Sequence, residues 1–123
     1  AEVRDMRAKM RSNLDKSNNQ LFDLKQGKGG ITDIEFIVQY AVLAWSGELP
    51  QLHTYTDNIR VLDALKSTDK LSQVQGDLLA DAYRFYRNLA NHCVLQEIPA
   101  VVPIEEVAEY QPKVQAIWQQ YLG

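Results

Sequence analysis

Cysteine is nearly missing from this 123-residue chain: Cys93 stands alone. An internal disulfide is therefore excluded, and the usage fits a reducing, cytoplasmic compartment. On what reads as the inner side of a helix, Cys93 is a small core hydrophobe. The two histidines, His53 and His92, stand far apart, so no Cys/His set has zinc spacing. No apolar run approaches the roughly 20 residues of a membrane span, and the opening Ala1-Glu2-Val3-Arg4-Asp5 lacks the apolar core of a signal peptide. Neither sign of charge is in large excess: 13 Lys and Arg against 16 Asp and Glu leave a net charge of −3. A general nucleic-acid or membrane-surface binder is not expected from that balance, although a local basic cluster can still hold one phosphate. There is no Gly-x-Ser-x-Gly and no Gly-x-x-x-x-Gly-Lys-Ser/Thr, and His92 points about 100° away from Cys93 around a helix. No catalytic residue and no metal ligand is assigned within the chain. With 46% hydrophobic residues it can bury one core, so residues 1–123 are expected to form one domain. The helical start without a leading Met suggests a piece of a larger protein.

What the chain does have is a basic, glycine-rich loop that runs straight into a long apolar helix: Leu24-Lys25-Gln26-Gly27-Lys28-Gly29-Gly30-Ile31-Thr32-Asp33-Ile34-Glu35-Phe36. Three glycines in four positions let the backbone approach a ligand with no Cβ in the way, and Lys25 and Lys28 add two positive charges. Thr32 reads as an N-cap whose hydroxyl accepts from the amide of Glu35, with Glu35 answering as in a capping box. The helix then starts near Asp33. Free amides and the positive dipole end at such a start form an anion site, with Lys25, Lys28, Gly29, Gly30 and Thr32 as the binding set. The alternative is that Gly27, Gly29 and Gly30 only make a tight entry turn while the lysines are solvated; spacing leaves both readings open.

Asp33-Ile34-Glu35 has the form of the Asp-x-Glu pair that binds metal ions in nucleotidyl-transfer enzymes. That pair works on a strand, where residues i and i+2 point the same way. On a helix they diverge by about 200°, so these two belong to the helix start and not to a metal. The helix continues to about Trp45. Ile34, Ile37, Val38, Ala41 and Trp45 share one side, and Phe36, Tyr40, Leu43 and Ala44 cover most of the rest. Such a helix is central and buried. Glu35 and Gln39, one turn apart, need partners there.

Around this centre the chain reads as helices. In residues 2 to about 13, Val3, Met6 and Met10 recur at helical spacing, and Arg4, Arg7, Lys9 and Arg11 read as a solvated face. Residues 15–20 form a polar turn, and residues 21–25 alternate as a short extended segment. Gly47 and Pro50 close the central helix. Thr56 or Asp57 caps a helix over residues 58–65, with Ile59, Leu62 and Leu65 inward. Ser72 caps the longest helix, to about Gln96, carrying Val74, Leu78, Leu79, Ala82, Phe85, Tyr86, Leu89 and Cys93 inward; Gly76 weakens its start. Its other side is a polar strip of Arg84, Arg87, Asn88 and Asn91, with Tyr83 and His92 at the edges. That strip is a solvent face, or one that meets ATP or another domain. Residues 98–103 read as an apolar linker, and residues 104–122 as one or two helices broken at Pro112, packing through Val114, Ile117, Trp118 and Tyr121. The expected fold class is all-α, a mainly helical bundle with a short extended segment before the glycine loop.

The stretch Leu21-Phe22-Asp23-Leu24-Lys25, followed by Gly27-Lys28-Gly29-Gly30-Ile31-Thr32-Asp33-Ile34-Glu35-Phe36-Ile37-Val38-Gln39-Tyr40, resembles the signature of glutamine synthetase adenylyltransferases. Those enzymes attach and remove AMP on a glutamine synthetase tyrosine. Thr56-Asp57-Asn58-Ile59-Arg60 resembles the family's next helix, and Ala82-Tyr83-Arg84-Phe85-Tyr86-Arg87 with Asn91-His92 and Leu95-Gln96 continues the likeness, which covers about residues 21–96. Trp118-Gln119-Gln120-Tyr121-Leu122 resembles the family's natural end. PII uridylyltransferases share a looser Gly-Gly-Leu-Arg-Asp form of the loop without the Ile-Glu-Phe continuation. In the family, the de-adenylylating half usually carries Arg after Gly-Gly-Ile; Thr32 here resembles the adenylylating, C-terminal half. The family's Gly-Ser and Asp-x-Asp have no match.

The resemblance implies a helical domain without its metal-binding neighbour. ATP and Mg²⁺ would serve the parent enzyme, with Mg²⁺ on carboxylates outside this chain, and the loop from Lys25 to Thr32 would lie against the preceding nucleotidyltransferase domain and help hold the ATP phosphates. Alone, the chain would hold neither cofactor and transfer no AMP. Glutamine synthetase would be a partner. A second reading makes the chain a regulatory module that binds PII or glutamine synthetase with no nucleotide contact, and a third makes the glycine loop a packing turn only. No nucleic-acid or membrane partner is expected.

Overall fold

The longest apolar stretch takes the centre. In the computed structural model, which describes residues 2–18, 20–47, 55–67 and 71–122, α2 (Ile31–Ser46) packs against each of the other α-helices: α1 (Glu2–Leu14), α3 (Tyr55–Ser67), α4 (Gln73–Leu95) and α5 (Gln111–Leu122). Ile31, Ile34, Ile37, Val38, Ala41 and Val42 of α2 are buried. The all-round burial expected of this helix stops short of its last turn, where Ala44 and Trp45 are exposed; apolar periodicity does not say where the neighbouring helices end. Gly47 closes α2 in the left-handed conformation, φ 81°, and its amide donates to Leu43 O, as a C-terminal glycine should. Residues 48–50 of that expected stop, and His53, lie outside the described residues.

The short extended segment is β1 (Leu21–Asp23), and it has a partner. Residues expected to be a linker form β2 (Val101–Pro103), antiparallel to β1 in the register Leu21–Pro103, Phe22–Val102 and Asp23–Val101. Pro103 is tolerated because it ends a strand with no further neighbour among the described residues. Nothing local could reveal the pairing, since three-residue strands carry too little alternation and these two are joined only through the whole helical body. A 3-10 turn (Ile104–Val107) follows, then α5. Pro112 is the second residue of α5, where its missing amide harms nothing; the break falls before it. Val114, Ile117, Trp118 and Leu122 are buried, while Tyr121 is only partly so.

Ser72 caps α4 as expected, its hydroxyl accepting from the Gln75 amide at 3.1 Å. Leu79, Ala82, Tyr86 and Cys93 are buried, with Leu78, Phe85 and Leu89 packed at the margin. Two assignments on this helix change. Val74, expected inside, is 78% exposed, because it lies about 200° around the helix from the buried Gly76. Tyr83, expected at the edge of the polar strip, is buried, and its hydroxyl donates to Glu35 Oε2 at 2.7 Å. Asn58 of α3 in turn donates to the Tyr83 hydroxyl at 3.2 Å. The polar stripe on α2 thus finds its partner on a crossing helix. α3 begins at Tyr55, which puts Thr56 and Asp57 inside its first turn and not at a cap; Leu62 and Leu65 are its buried residues and Ile59 is partly buried.

Gly76, read as a weak point, is a packing requirement. A Cβ there would lie 2.3 Å from Cγ of Lys66, whose stem crosses α4 at this place. The Lys66 ammonium meets Asp77 at 2.7 Å and Asp63 at 3.2 Å. The hydrogen bond from Lys66 holds the Asp77 carboxyl below its ordinary 3.8, and Asp77 first, then Asp63, lifts Lys66 above 10.5. Among the described residues no helix is long and apolar enough to cross a membrane.

The cap gives a direct test. Ser72→Ala should lower stability by about 1 kcal/mol, measured by urea unfolding, while Val74→Ala two residues on stays within about 0.5 kcal/mol of the parent.

Candidate functional site

The glycine loop is tied down from below. Asp23, buried at the end of β1, accepts the amides of Lys25 and Gln26 on Oδ1, both at 3.0 Å, and that of Lys16 on Oδ2 at 3.1 Å. The Gly27 amide donates to Asp23 O, Gly30 to Gly27 O and Ile31 to Leu24 O, each at 2.9 Å, and Thr32 to Lys25 O at 3.0 Å. Three glycines have no room for a side chain. A Cβ on Gly27 would lie 2.7 Å from Asp23 O. Gly29 sits at φ 86° with Gln111 O 2.6 Å from where a Cβ would be, and a Cβ on Gly30 would lie 2.7 Å from Leu24 O.

The cap differs from the expected one. Gly30 is the N-cap, with no side-chain cap bond, and the helix starts at Ile31, two residues before the expected Asp33. Thr32 is therefore a buried first-turn residue and not a cap. Glu35 is taken by Tyr83, so no capping box forms between them. The residue that reaches back is Asp33, which accepts the Gly29 amide on Oδ2 at 2.7 Å. With the start shifted by two, Asp33 holds the third helical position, where a capping carboxylate belongs.

Asp33 is also the anchor of α1. It is 1% exposed. Arg7 Nε donates to its Oδ1 at 2.5 Å, and Arg11 Nη2 donates to both oxygens at 2.8 and 2.9 Å. The remaining Arg7 donors reach Gln26 Oε1 at 2.8 Å and Gln26 O at 2.6 Å. The Arg11 guanidinium lies 5.8 Å from the centre of the Trp118 ring, within cation–π range. The solvated basic face expected of α1 is thus true of Arg4 and Lys9 but not of Arg7, which is wholly buried, or Arg11, which is largely so. The sequence signal was the four-residue spacing of Arg7 and Arg11, which puts both on one face; periodicity scores that face as polar and cannot see the carboxylate opposite. Met6, expected to pack, is 54% exposed. Burial, and after it the negative charge of Asp33, pushes the Tyr86 phenol above its ordinary 10.

The anion site read from the helix start is consequently occupied by the chain itself: the amides of residues 29–32 all donate to internal acceptors, one of them a carboxylate. What points outward is Lys25 and Lys28, both exposed and without an ion pair among the described residues. They face different grooves. Lys25 lines one of about 280 Å³ with Leu14, Lys16 and Pro99, and Lys28 lines one of about 240 Å³ with Phe22, Ile104 and Gln111. Gly29, Gly30 and Thr32 lie buried beneath. Asp33 and Glu35 are committed to arginines and to a tyrosine, so neither fits a Mg²⁺ ligand, and among the described residues no three His, Cys, Asp or Glu side chains cluster as a metal site.

Breaking the ion cluster strands a buried charge, so Arg7→Ala or Asp33→Ala should destabilise by about 3–5 kcal/mol, while the apolar pair Arg7→Met with Asp33→Leu recovers most of that loss in denaturant titrations. Gly30→Ala, which forces a Cβ onto a carbonyl oxygen, should lose about 1–3 kcal/mol in the same assay. Lys25→Ala with Lys28→Ala should leave the unfolding midpoint almost unmoved.

A family model described as GlnD PII-uridylyltransferase matches residues 3–98, from α1 through the glycine loop to the end of α4. The chain is 51% identical over 121 residues to a bifunctional glutamine synthetase adenylyltransferase/adenylyl-removing enzyme of Nitrosococcus oceani, covering 98% of the chain and 12% of that enzyme. Enzymes of the same name from Hahella chejuensis and Pseudomonas syringae pv. tomato are 44% and 45% identical, covering 96% and 98% of the chain and 13% of each enzyme. The chain thus spans about an eighth of the length of these curated relatives. It belongs to the GlnD PII-uridylyltransferase family and is similar, nearly end to end, to a segment of bifunctional glutamine synthetase adenylyltransferase/adenylyl-removing enzymes.

Proposed function

We propose that this chain is the helical domain that follows the nucleotidyltransferase domain of a glutamine synthetase adenylyltransferase, and that it supports transfer of AMP from ATP to a glutamine synthetase tyrosine. The observation that carries the reading is the contrast within the loop. Its backbone is held by Asp23, Asp33 and Arg7, while Lys25 and Lys28 are exposed above it and have no ion pair among the described residues. A fixed base with two mobile ammonium groups suits a phosphate chain presented by a neighbouring domain, because charge placed beforehand needs no reorganisation as negative charge develops. Since the loop amides are already taken, the lysine side chains, and not Gly29, Gly30 or Thr32, make the contact; the buried residues position them. Because they face two grooves, this reading assigns the lysines to separate phosphates, or one of them to the protein substrate.

In this reading ATP, the nucleotidyltransferase domain and glutamine synthetase are partners of the longer protein, and PII is a regulatory one. Mg²⁺ belongs to carboxylates elsewhere, because the two candidates here are engaged. The chain alone transfers no AMP. A second reading, an interaction module with no nucleotide contact, is favoured by the division of the lysines between two grooves.

Kinetics separate the two. In a full-length adenylyltransferase, Lys25→Ala with Lys28→Ala should lower kcat/KM for ATP by about tenfold or more, on the order of 1.4 kcal/mol of transition-state stabilisation. A change confined to the KM for glutamine synthetase supports the interaction module. Unchanged kinetics in both substrates removes the loop from function.

A further inference from the structure

Another groove lies away from the glycine loop, along α4. It encloses about 610 Å³ and is lined by Arg84, Phe85, Arg87, Asn88 and Asn91. We propose that the face of α4 from Arg84 to Leu95 docks an acidic, partly apolar segment of a separate protein, with carboxylates on the two arginines and apolar side chains on Val94 and Leu95.

Charge is the first support. From Ala82 to Gln96 the chain has no Asp or Glu, although 16 acids serve the 123 residues. Between Asp81 and Glu97 the only full charges on this helix are thus the two arginines, on a chain of net charge −3. Arg84 meets only Asp81, at 3.4 Å and half exposed, and Arg87 has no carboxylate partner among the described residues. Both cations are open to an incoming acid.

The second support is what the sequence forgoes. Asn88 and Asn91 are exposed mid-helix, where asparagine is a poor helix former, and neither packs against the core. Their amides both donate and accept, which matches a peptide backbone. Val94 and Leu95 are 68% and 81% exposed one turn further on. Spacings of three, four, seven and eleven residues place Arg87, Asn88, Asn91 and Leu95 on the same side as Arg84. The stripe is about 16 Å long at 1.5 Å per residue, enough for about five residues of extended chain and too long for one phosphate. Phe85 forms a firm floor, its ring 5.1 Å from that of Tyr110. A face this rich in Arg and Asn, apolar only at one end, suits an exchangeable partner better than a permanent intrachain contact, which is more apolar.

The test uses the 123-residue chain and a fluorescein-labelled peptide of alternating Glu and Leu, followed by anisotropy and by amide chemical shifts. Binding should move the amides of Arg84, Arg87, Asn88, Asn91 and Leu95, and weaken as salt is raised. R84E with R87E should raise Kd by about tenfold or more, a loss of about 1.4 kcal/mol, with circular dichroism unchanged, whereas K25A with K28A should have no effect. The proposal is overturned if a peptide with Lys in place of Glu binds equally, or if the Glu peptide does not bind. It is also overturned if ATP moves the same amides and displaces the peptide, if the chain self-associates through the two arginines, or if the full-length Nitrosococcus oceani enzyme, with this face covered, fails to bind.

Discussion

The geometry around the glycine loop depends on one buried carboxylate. Asp33 is the meeting point of the Gly29 amide and the guanidinium groups of Arg7 and Arg11. An ionised carboxylate out of water is strongly disfavoured unless its charge and lone pairs are matched. Here two cations, a backbone donor and the positive end of α2 match it together. The cluster does two jobs at once: it docks α1, whose Met6 and Leu14 are exposed, and through Arg7 and Gln26 it holds the loop that precedes α2.

A second polar relay crosses the core further along α2. Glu35, Tyr83 and Asn58 join α2, α4 and α3 by hydrogen bonds at 2.7 and 3.2 Å. Polar networks of this kind stabilise only when their members find partners, and they then set the rotation of each helix about its axis more sharply than an apolar contact does. The two relays start on opposite faces of one helix near its N-terminus, about 200° apart, with Ile34, Ile37 and Val38 packed around them. Lys25 and Lys28 sit over the first relay, each in its own groove, and the α4 strip stands apart from both.

Much of the fold was legible because it rests on local chemistry. α2 and α4 announce themselves by apolar residues at helical spacing over many turns, Ser72 by its place before such a run, and Gly47 by its place after one. The likeness of residues 21–96 to the adenylyltransferase signature agrees with the relatives found. Errors fell where a partner distant in sequence decides. β2 reads as a linker until β1 is beside it, Val74 reads as core until the buried face of α4 is seen to run through Gly76, Leu79 and Tyr83, and Tyr83 reads as an edge residue until Glu35 is seen to face it.

The candidate site divides along the same line. By itself the sequence determined that a tight, glycine-dependent turn with two lysines enters the central helix, because side-chain volume, charge and helix-start chemistry are properties of neighbouring residues. Only the tertiary structure decided which groups in that turn are available. The amides and Asp33 are closed inward by arginines from a helix some twenty residues earlier, and the lysines are left outward on separate grooves. The physical reason is that a buried charge must be matched in space. The matching group is chosen by how the helices pack, which no local pattern records.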